Sequence, residues 1–414
     1  MCAKPKDDER AGSSRPASSS PKGRRPLNLP ASLPVSLWVA LALVLGLSIG
    51  FFVARQFPGR PPAPPEAVQA NATFEEYRAG ELENRIKLVD SALLRSLRAS
   101  RPEIDRLQIQ SVETRQHEGR EYHYQTIRLP LGPADKAAFT KHLTTELASL
   151  VPGAQLTEPV PNSWDIALDG LPTHRLLLPA EAGKPLKPEP PQAGVGRLAL
   201  VIDDMGEDVG FAQGLAALDV PVTFSIWPDS GSREAVIKIA KARGREILIH
   251  LPMQPKGYPK VDPGRHPLLV TMTAEQVQAG VKRAAERVPG AIGVNNHMGS
   301  QFTENSFGMH AALMAMQERG LFFLDSRTTA ETVGSREAQR IGLRFYKRDV
   351  FLDNEQNVSA ILHQLRKAEA LARGHGQAIA IGHPHPETLM AIKQWLRDKD
   401  EGVRVVPLST LPLR

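Results

Sequence analysis

One cysteine, Cys2, is all the 414-residue chain carries, so no disulfide can form within it. That scarcity leaves export open, because exported proteins also live without disulfides. No His-Glu-x-x-His run is present, which excludes the contiguous helical zinc signature. Residues 1–35 lack the apolar content to bury a core, and their Ser, Pro, Lys and Arg predict a disordered tail. Residues 36–54 lack any charge. In 72–180 the histidines (His117, His123, His142 and His174) lack ligand spacing and read as surface or hairpin residues. What is present is otherwise ordinary for a globular protein, 41% hydrophobic and 23% charged, with a net charge of +6.

The charge is unevenly spread. Lys4, Lys6, Arg10, Arg15, Lys22, Arg24 and Arg25 precede the uncharged stretch Ser36 to Ala54. A basic tail beside such a stretch points to membrane topology rather than nucleic acid. About 20 apolar residues span a bilayer as a helix. The sequence therefore predicts a single span over 36–54, through the inner membrane, with a cytoplasmic N-terminus and the rest periplasmic. A cleaved signal peptide fits less well, since no small-x-small site follows the apolar core. Residues 55–71 form a Pro-rich spacer.

Residues 72–180 predict a small α+β domain. Thr73 to Ala99 carries Leu82, Ile86, Val89, Leu93 and Leu97 at helical spacing. Two strands flank His117-Glu-Gly-Arg120, a hairpin signal. A second helix over Pro133 to Leu150 and three more strand-like runs follow. Nothing in this part carries chemistry; a spacer, or docking to an envelope protein partner, is the expectation. A second Pro-rich linker occupies 181–196.

In 197–414, strand-like runs alternate with helical stretches. The runs are Leu198–Ile202, Val222–Ile226, Glu246–His250, Ala291–Asn295, Leu321–Leu324, Arg344–Tyr346, Ala378–Ile381 and Val403–Pro407. Repeated βα units mean a parallel sheet, open or closed into a barrel. Five runs end in polar groups: Asp203 and Asp204; His250; Asn295, Asn296 and His297; Asp325, Ser326 and Arg327; and His383. Parallel strands would bring these ends to one rim. One carboxylate and two imidazoles suit zinc or a related divalent ion, with positions left for water and substrate. Each residue has a plainer reading. Asp204 could cap a helix. His250 and His297 could be buried histidines satisfied by backbone, His383 could cap a turn, and Asp325 with Arg327 could be an ion pair between loops.

These runs resemble the metal-dependent polysaccharide deacetylases, and specifically their divergent branch, over about residues 197 to 410. The resemblance rests on Ile202-Asp-Asp-Met-Gly206, Val222-Thr-Phe-Ser-Ile226, His250-Leu-Pro-Met253, Gly293-Val-Asn-Asn-His-Met-Gly-Ser300, Leu324-Asp-Ser-Arg327, Arg348-Asp-Val-Phe-Leu-Asp353 and Ile381-Gly-His-Pro384. It implies a distorted (β/α) barrel of about seven strands, a shortened relative of the eight-stranded form. It further implies that Asp203 is the general base, Asp204 a metal ligand and His383 the general acid for an amide hydrolysis. Typical members carry two metal histidines four residues apart. Here Gln254 stands four after His250, so His297 is the expected third ligand by strand order. No arginine-proline loop steadies the base, and Arg327 is the expected substitute. The implied activity is deacetylation of an N-acetylated glycan such as peptidoglycan or a surface polysaccharide. The competing expectation is a non-catalytic envelope module on the same fold, binding a glycan or a protein.

Overall fold

The computed structural model describes residues 82–102, 107–178 and 195–413. The expected tail, membrane span and first linker, the start of the expected helix over 73–99, and most of the second linker lie outside those residues. Among the described residues no helix is long and apolar enough to cross a membrane.

The small module opens with α1 (Leu82–Ser100) and the hairpin β1 (Gln108–His117) and β2 (Arg120–Arg128). It continues with α2 (Lys136–Leu150), β3 (Ala154–Val160), β4 (Ser163–Leu168) and β5 (Leu171–Leu177). The sheet order is β1-β2-β5-β4-β3, and only the β2–β5 pair is parallel. Ile86, Val89, Leu93 and Leu97 of α1 and Phe139, Leu143 and Leu147 of α2 bury one core against this sheet.

The larger module is a parallel sheet whose strands alternate with helices, as the apolar runs predict. Its elements are β6 (Gly196–Met205), α3 (Val209–Ala216), β7 (Thr223–Ile226), α4 (Arg233–Ala242), β8 (Ile247–Met253), α5 (Ala274–Arg287) and β9 (Gly293–Met298). Then come α6 (Ser306–Gln317), β10 (Phe322–Asp325), α7 (Gly334–Ile341), β11 (Phe345–Lys347), β12 (Val350–Phe351), α8 (Val358–His375), β13 (Gln377–Gly382), α9 (Pro386–Asp398) and β14 (Val403–Val405). Local signals fix the helix ends. Thr273 and Gln276 form a capping box at α5, Asn357 caps α8, and Gly376 ends α8 in the left-handed conformation.

The pairing order is β11-β10-β9-β8-β7-β6-β13-β12, with β14 beside β6. This corrects the expected seven-stranded barrel. The path has eight strands, and among the described residues its ends, β11 and β12, do not pair. The sheet curls without closing by hydrogen bonds. The two-residue β12 is the strand the apolar runs did not predict.

Side chains alternate across this sheet. Leu198, Leu200 and Ile202 of β6 join the large core under the helices. Ala199 and Val201 join a smaller cluster inside the curl with Leu248, Phe322, Leu324, Tyr346, Ile379 and Ile381. Continuing that inner parity one step toward the carboxyl ends gives Asp203, His250, Asn295, His297 and His383. An apolar floor therefore becomes a polar rim along the same face.

The small module packs on this rim rather than standing apart as a spacer. Positions 83, 87 and 90 share one face of α1. Glu83 lies 3.5 Å from Arg348, Lys87 Nζ sits 4.9 Å above the Phe351 ring, and Asp90 is 3.1 Å from His363 of α8. His174, expected at the surface, is fully buried. Its Nε2 is 3.1 Å from Asp90, and Gln125 donates to the same carboxylate at 2.8 Å. The module boundary is a desolvated polar cluster, which periodicity does not reveal.

Candidate active site

A regular strand sends consecutive side chains to opposite faces, so Asp203 and Asp204 should diverge. They do not. The β6–β7 register shifts between Ile202 and Met205, a bulge, and Asp204 takes φ 53°. A non-glycine residue there costs of order 1–3 kcal/mol, a strain typical of functional positions. Gly206 follows at φ 128°, where a Cβ would meet Ser230 Oγ at 2.0 Å. Asp208, not Asp204, caps α3, accepting from Phe211 N at 2.8 Å.

The bulge turns Asp204 toward two imidazoles. Its Oδ1 lies 3.0 Å from His250 Nε2 and 3.1 Å from His297 Nδ1, and those nitrogens are 3.0 Å apart. All three ligand atoms lie within 4.8 Å of one another. Bonds of 2.0–2.2 Å to a tetrahedral divalent ion set ligand atoms about 3.3 Å apart, so the set fits such an ion with little movement. Burial opposes charge on His250, but the carboxylates of Asp203 and Asp204 raise its pKa. Burial pushes His297 down, and the facing His250 adds to that. Burial would raise Asp204, yet the two imidazoles hold it well below the ordinary carboxylate range.

Two neighbours orient these groups. The Trp227 indole N–H donates to Asp204 Oδ1 at 2.7 Å, and its ring meets His297 edge-on at 4.7 Å. Asn295, fully buried, donates from Nδ2 to both oxygens of Asp203, at 2.7 and 2.9 Å. Its Oδ1 accepts from Ser225 Oγ at 2.5 Å and pairs with His250 Nδ1 at 2.9 Å. The Asp203 carboxylate can only accept, so the amide NH2 turns to it and the amide oxygen accepts from Ser225 and His250; these contacts settle the amide's orientation. They also assign the His250 proton to Nδ1, leaving the Nε2 lone pair to face Asp204.

Asn295 thus does for Asp203 what Arg327 was expected to do. Arg327 turns away, with its Nη1 3.6 Å from Glu121 of the hairpin. Asp325 has the opposite parity and stays out of the trio. It accepts from Thr332 Oγ1 at 2.7 Å and Arg327 N at 2.8 Å, and burial raises its pKa. Gln254 ties loops together, donating to Gln301 at 2.9 Å and accepting from Val270 N at 2.9 Å.

Across the curl, His383 pairs with Asp353. Its Nδ1 lies 2.8 Å from Asp353 Oδ1, and its backbone N–H donates to Oδ2 at 2.5 Å. Thr388 Oγ1 donates to the same Oδ2 at 2.7 Å. Burial works against an imidazolium here, but the Asp353 carboxylate outweighs it and holds His383 up at about 9. The Phe351 ring lies 5.1 Å from His383, tilted by 53°, while Lys87 and Arg348 approach the same ring. Asn295, Trp227 and Phe351 carry no charge to single them out in a sequence. Asn295 had a readable signal all the same, its inner parity between Gly293 and His297.

The model of a family described as divergent polysaccharide deacetylase matches residues 200–412. The chain is 37% identical over 216 residues to the uncharacterized protein YibQ of Escherichia coli, covering 52% of this chain and 67% of that one. It is 39% identical over 215 residues to an uncharacterized protein of Haemophilus influenzae, covering 52% of this chain and 76% of that one. A crystal structure of an uncharacterized protein from Agrobacterium tumefaciens matches with a TM-score of 0.51 at 29% identity, over 53% of this chain and 90% of the other.

Proposed function

We propose that this chain, which belongs to the divergent polysaccharide deacetylase family, is a membrane-anchored periplasmic hydrolase that removes acetyl groups from an N-acetylated envelope polysaccharide. The observation that carries the reading is the bulge in β6. It sets two adjacent carboxylates on one face, one toward a pair of imidazole nitrogens and one toward a buried amide.

Asp204, His250 and His297 would hold a divalent ion, zinc by its preference for this donor set. When bound, the ion supplies a positive charge that polarises the acetamide carbonyl and acidifies the attacking water. Asp203 takes that water's proton, and Asn295 keeps both of its oxygens aligned for the task. His383, charged below about pH 9, gives a proton to the departing nitrogen as the carbon–nitrogen bond breaks. Asp353 holds the ring that does so. Water and amide become acetate and a free amino sugar.

The uncharged stretch 36–54 after seven basic residues supports anchoring in the inner membrane, with the folded part outside. A reporter fused after residue 60 tests this by its periplasmic activity. The catalytic reading is tested with the zinc-loaded chain on N-acetylated oligosaccharides, following acetate release. Asp203→Asn and His383→Ala should each slow release about 10²–10⁴-fold while zinc stays bound. Unchanged release by Asp203→Asn overturns it.

A further inference from the structure

The segment 348–355 carries the acid half of the candidate site. Phe351 stands against the His383 ring, and Asp353 binds its Nδ1. The sheet gives this segment little support. β12 is two residues long, where a strand usually has about 3–10, and it pairs with β13 alone among the described residues. Arg348 and Asp349 cross the gap between the unpaired sheet ends. Arg348 N donates to Asp325 O of β10 at 3.0 Å, and Asp349 N to Ile379 O of β13 at 2.9 Å.

Helix α1 of the small module runs along the same segment. Glu83, Lys87 and Ser91 follow one another at single helical turns on one face. Glu83 Oε1 lies 3.5 Å from Arg348 Nη1, Lys87 Nζ 4.9 Å from the Phe351 ring centre, and Ser91 Oγ donates to Glu355 Oε2 at 2.6 Å. Three successive turns thus meet three points of one segment in the same order. Ile86, Val89, Leu93 and Leu97 lock the other face of α1 into the small module's own core, so the track has a rigid backing.

Arg348 carries the contact on to the base half. It is buried, and it donates from Nε to Ser326 O at 2.7 Å and from Nη2 to Arg327 O at 3.2 Å. Ser326 Oγ accepts from Asn295 Nδ2, the atom that holds Asp203. The same guanidinium lies 5.3 Å from the Phe351 ring. An aromatic face attracts a cation more strongly when both are desolvated, and Lys87 and Arg348 are both buried. The bond to Asp353 holds one edge of the His383 imidazole, and the Phe351 ring against it sets the tilt.

We infer that α1 is a wall of the active site and that Lys87 is a positioning residue, holding Phe351 against His383 so that Nε2 is aimed at the leaving nitrogen. The catalytic consequence rests on the proposed hydrolysis; the contact itself does not. The small module, without chemistry of its own, thereby shapes the chemistry of the larger one.

The full-length chain tests this with two readouts. Lys87→Met removes the ammonium and keeps most of the stem. On the zinc-loaded chain, kcat for acetate release from N-acetylglucosamine tetrasaccharide should fall about tenfold with KM and zinc affinity unchanged, because a misaimed proton donor costs turnover and not binding. Lys87→Arg keeps a cation over the ring and should recover most of the loss. The second readout needs no turnover. Diethyl pyrocarbonate acylates neutral imidazoles, and peptide mass spectrometry reads His383 separately. His383 should react about threefold or more faster in Lys87→Met, and near the unaltered rate in Lys87→Arg. Loss of a nearby cation alone favours the imidazolium, which resists the reagent, so faster reaction reports a looser ring. Unaltered labelling of His383 in Lys87→Met overturns the inference, as does an unaltered kcat. Should that variant not fold, Glu83→Gln, which slackens Arg348 instead, decides by the same two readouts. Absence of acetate release from the unaltered chain strikes the hydrolysis alone, and labelling still decides the wall.

Discussion

Asn295 Nδ2 sits 2.7 and 2.9 Å from the two oxygens of Asp203, while the amide oxygen of the same side chain pairs with His250 Nδ1. One neutral, buried side chain thus sets the aim of the candidate base and the tautomer of a candidate metal ligand. Asn295→Ala should therefore damage both functions. Zinc affinity should fall about 10–100-fold, as when an outer partner of a ligating histidine is lost. Acetate release at saturating zinc should fall about 10²-fold, the cost of losing one preorganised donor. Zinc titration and steady-state rates separate the two effects; wild-type values for both would contradict the coupling.

Trp227 should act on zinc binding alone. Its indole donates to the oxygen of Asp204 that faces both histidines. Trp227→Phe keeps a ring against His297 and removes the donor, so zinc affinity should drop about tenfold with the fold intact. Circular dichroism checks the fold, and competition with a chelator measures the affinity.

His383 and Asp353 predict a pH dependence of stability with two edges. The folded pKa of His383 is raised from 6.5 to about 9, so its stabilisation is full below 6.5 and lost as pH rises through about 9. Asp353 is lowered from 3.8, the facing His383 overcoming the effect of burial. Its stabilisation is full above 3.8 and is lost as pH falls through the lowered value. The pair stabilises most between those limits. Melting temperatures of wild type and Asp353→Asn should therefore differ most between about pH 4 and 6.5 and converge above about 9. A difference that does not change with pH would count against the pairing.

Asp90 at the module boundary should matter more for stability than for chemistry. Asp90→Ala leaves His174, His363 and Gln125 buried around a missing carboxylate. Breaking one side of a buried charged cluster costs about 3–5 kcal/mol. Denaturant unfolding of the whole chain should register that loss, with binding of zinc to the folded protein unchanged.

The eight strand runs and their order along the chain were readable because each is an apolar block bounded by polar residues, and block length tells a strand from a helix. The convergence of Asp204, His250 and His297 was readable for the same reason, as residues just past such blocks gather at one rim. The bulge was not readable, because it depends on how β6 meets β7 rather than on residue type. The two-residue β12 is too short for any pattern, and it hid the strand that carries Phe351 and leads to Asp353. His174 looked like a surface histidine because only tertiary packing brings Asp90, Gln125 and α8 against it. Arg327 was misassigned because its left-handed backbone swings it toward the hairpin.

The shift between Ile202 and Met205 makes the chemistry hostage to chain length. The residues inside that shift are Asp203 and Asp204 themselves, so deleting one would restore even alternation and take a carboxylate away in the same stroke. A chain without the extra residue would offer the acetyl group a base or a third ligand for the cation, but not both.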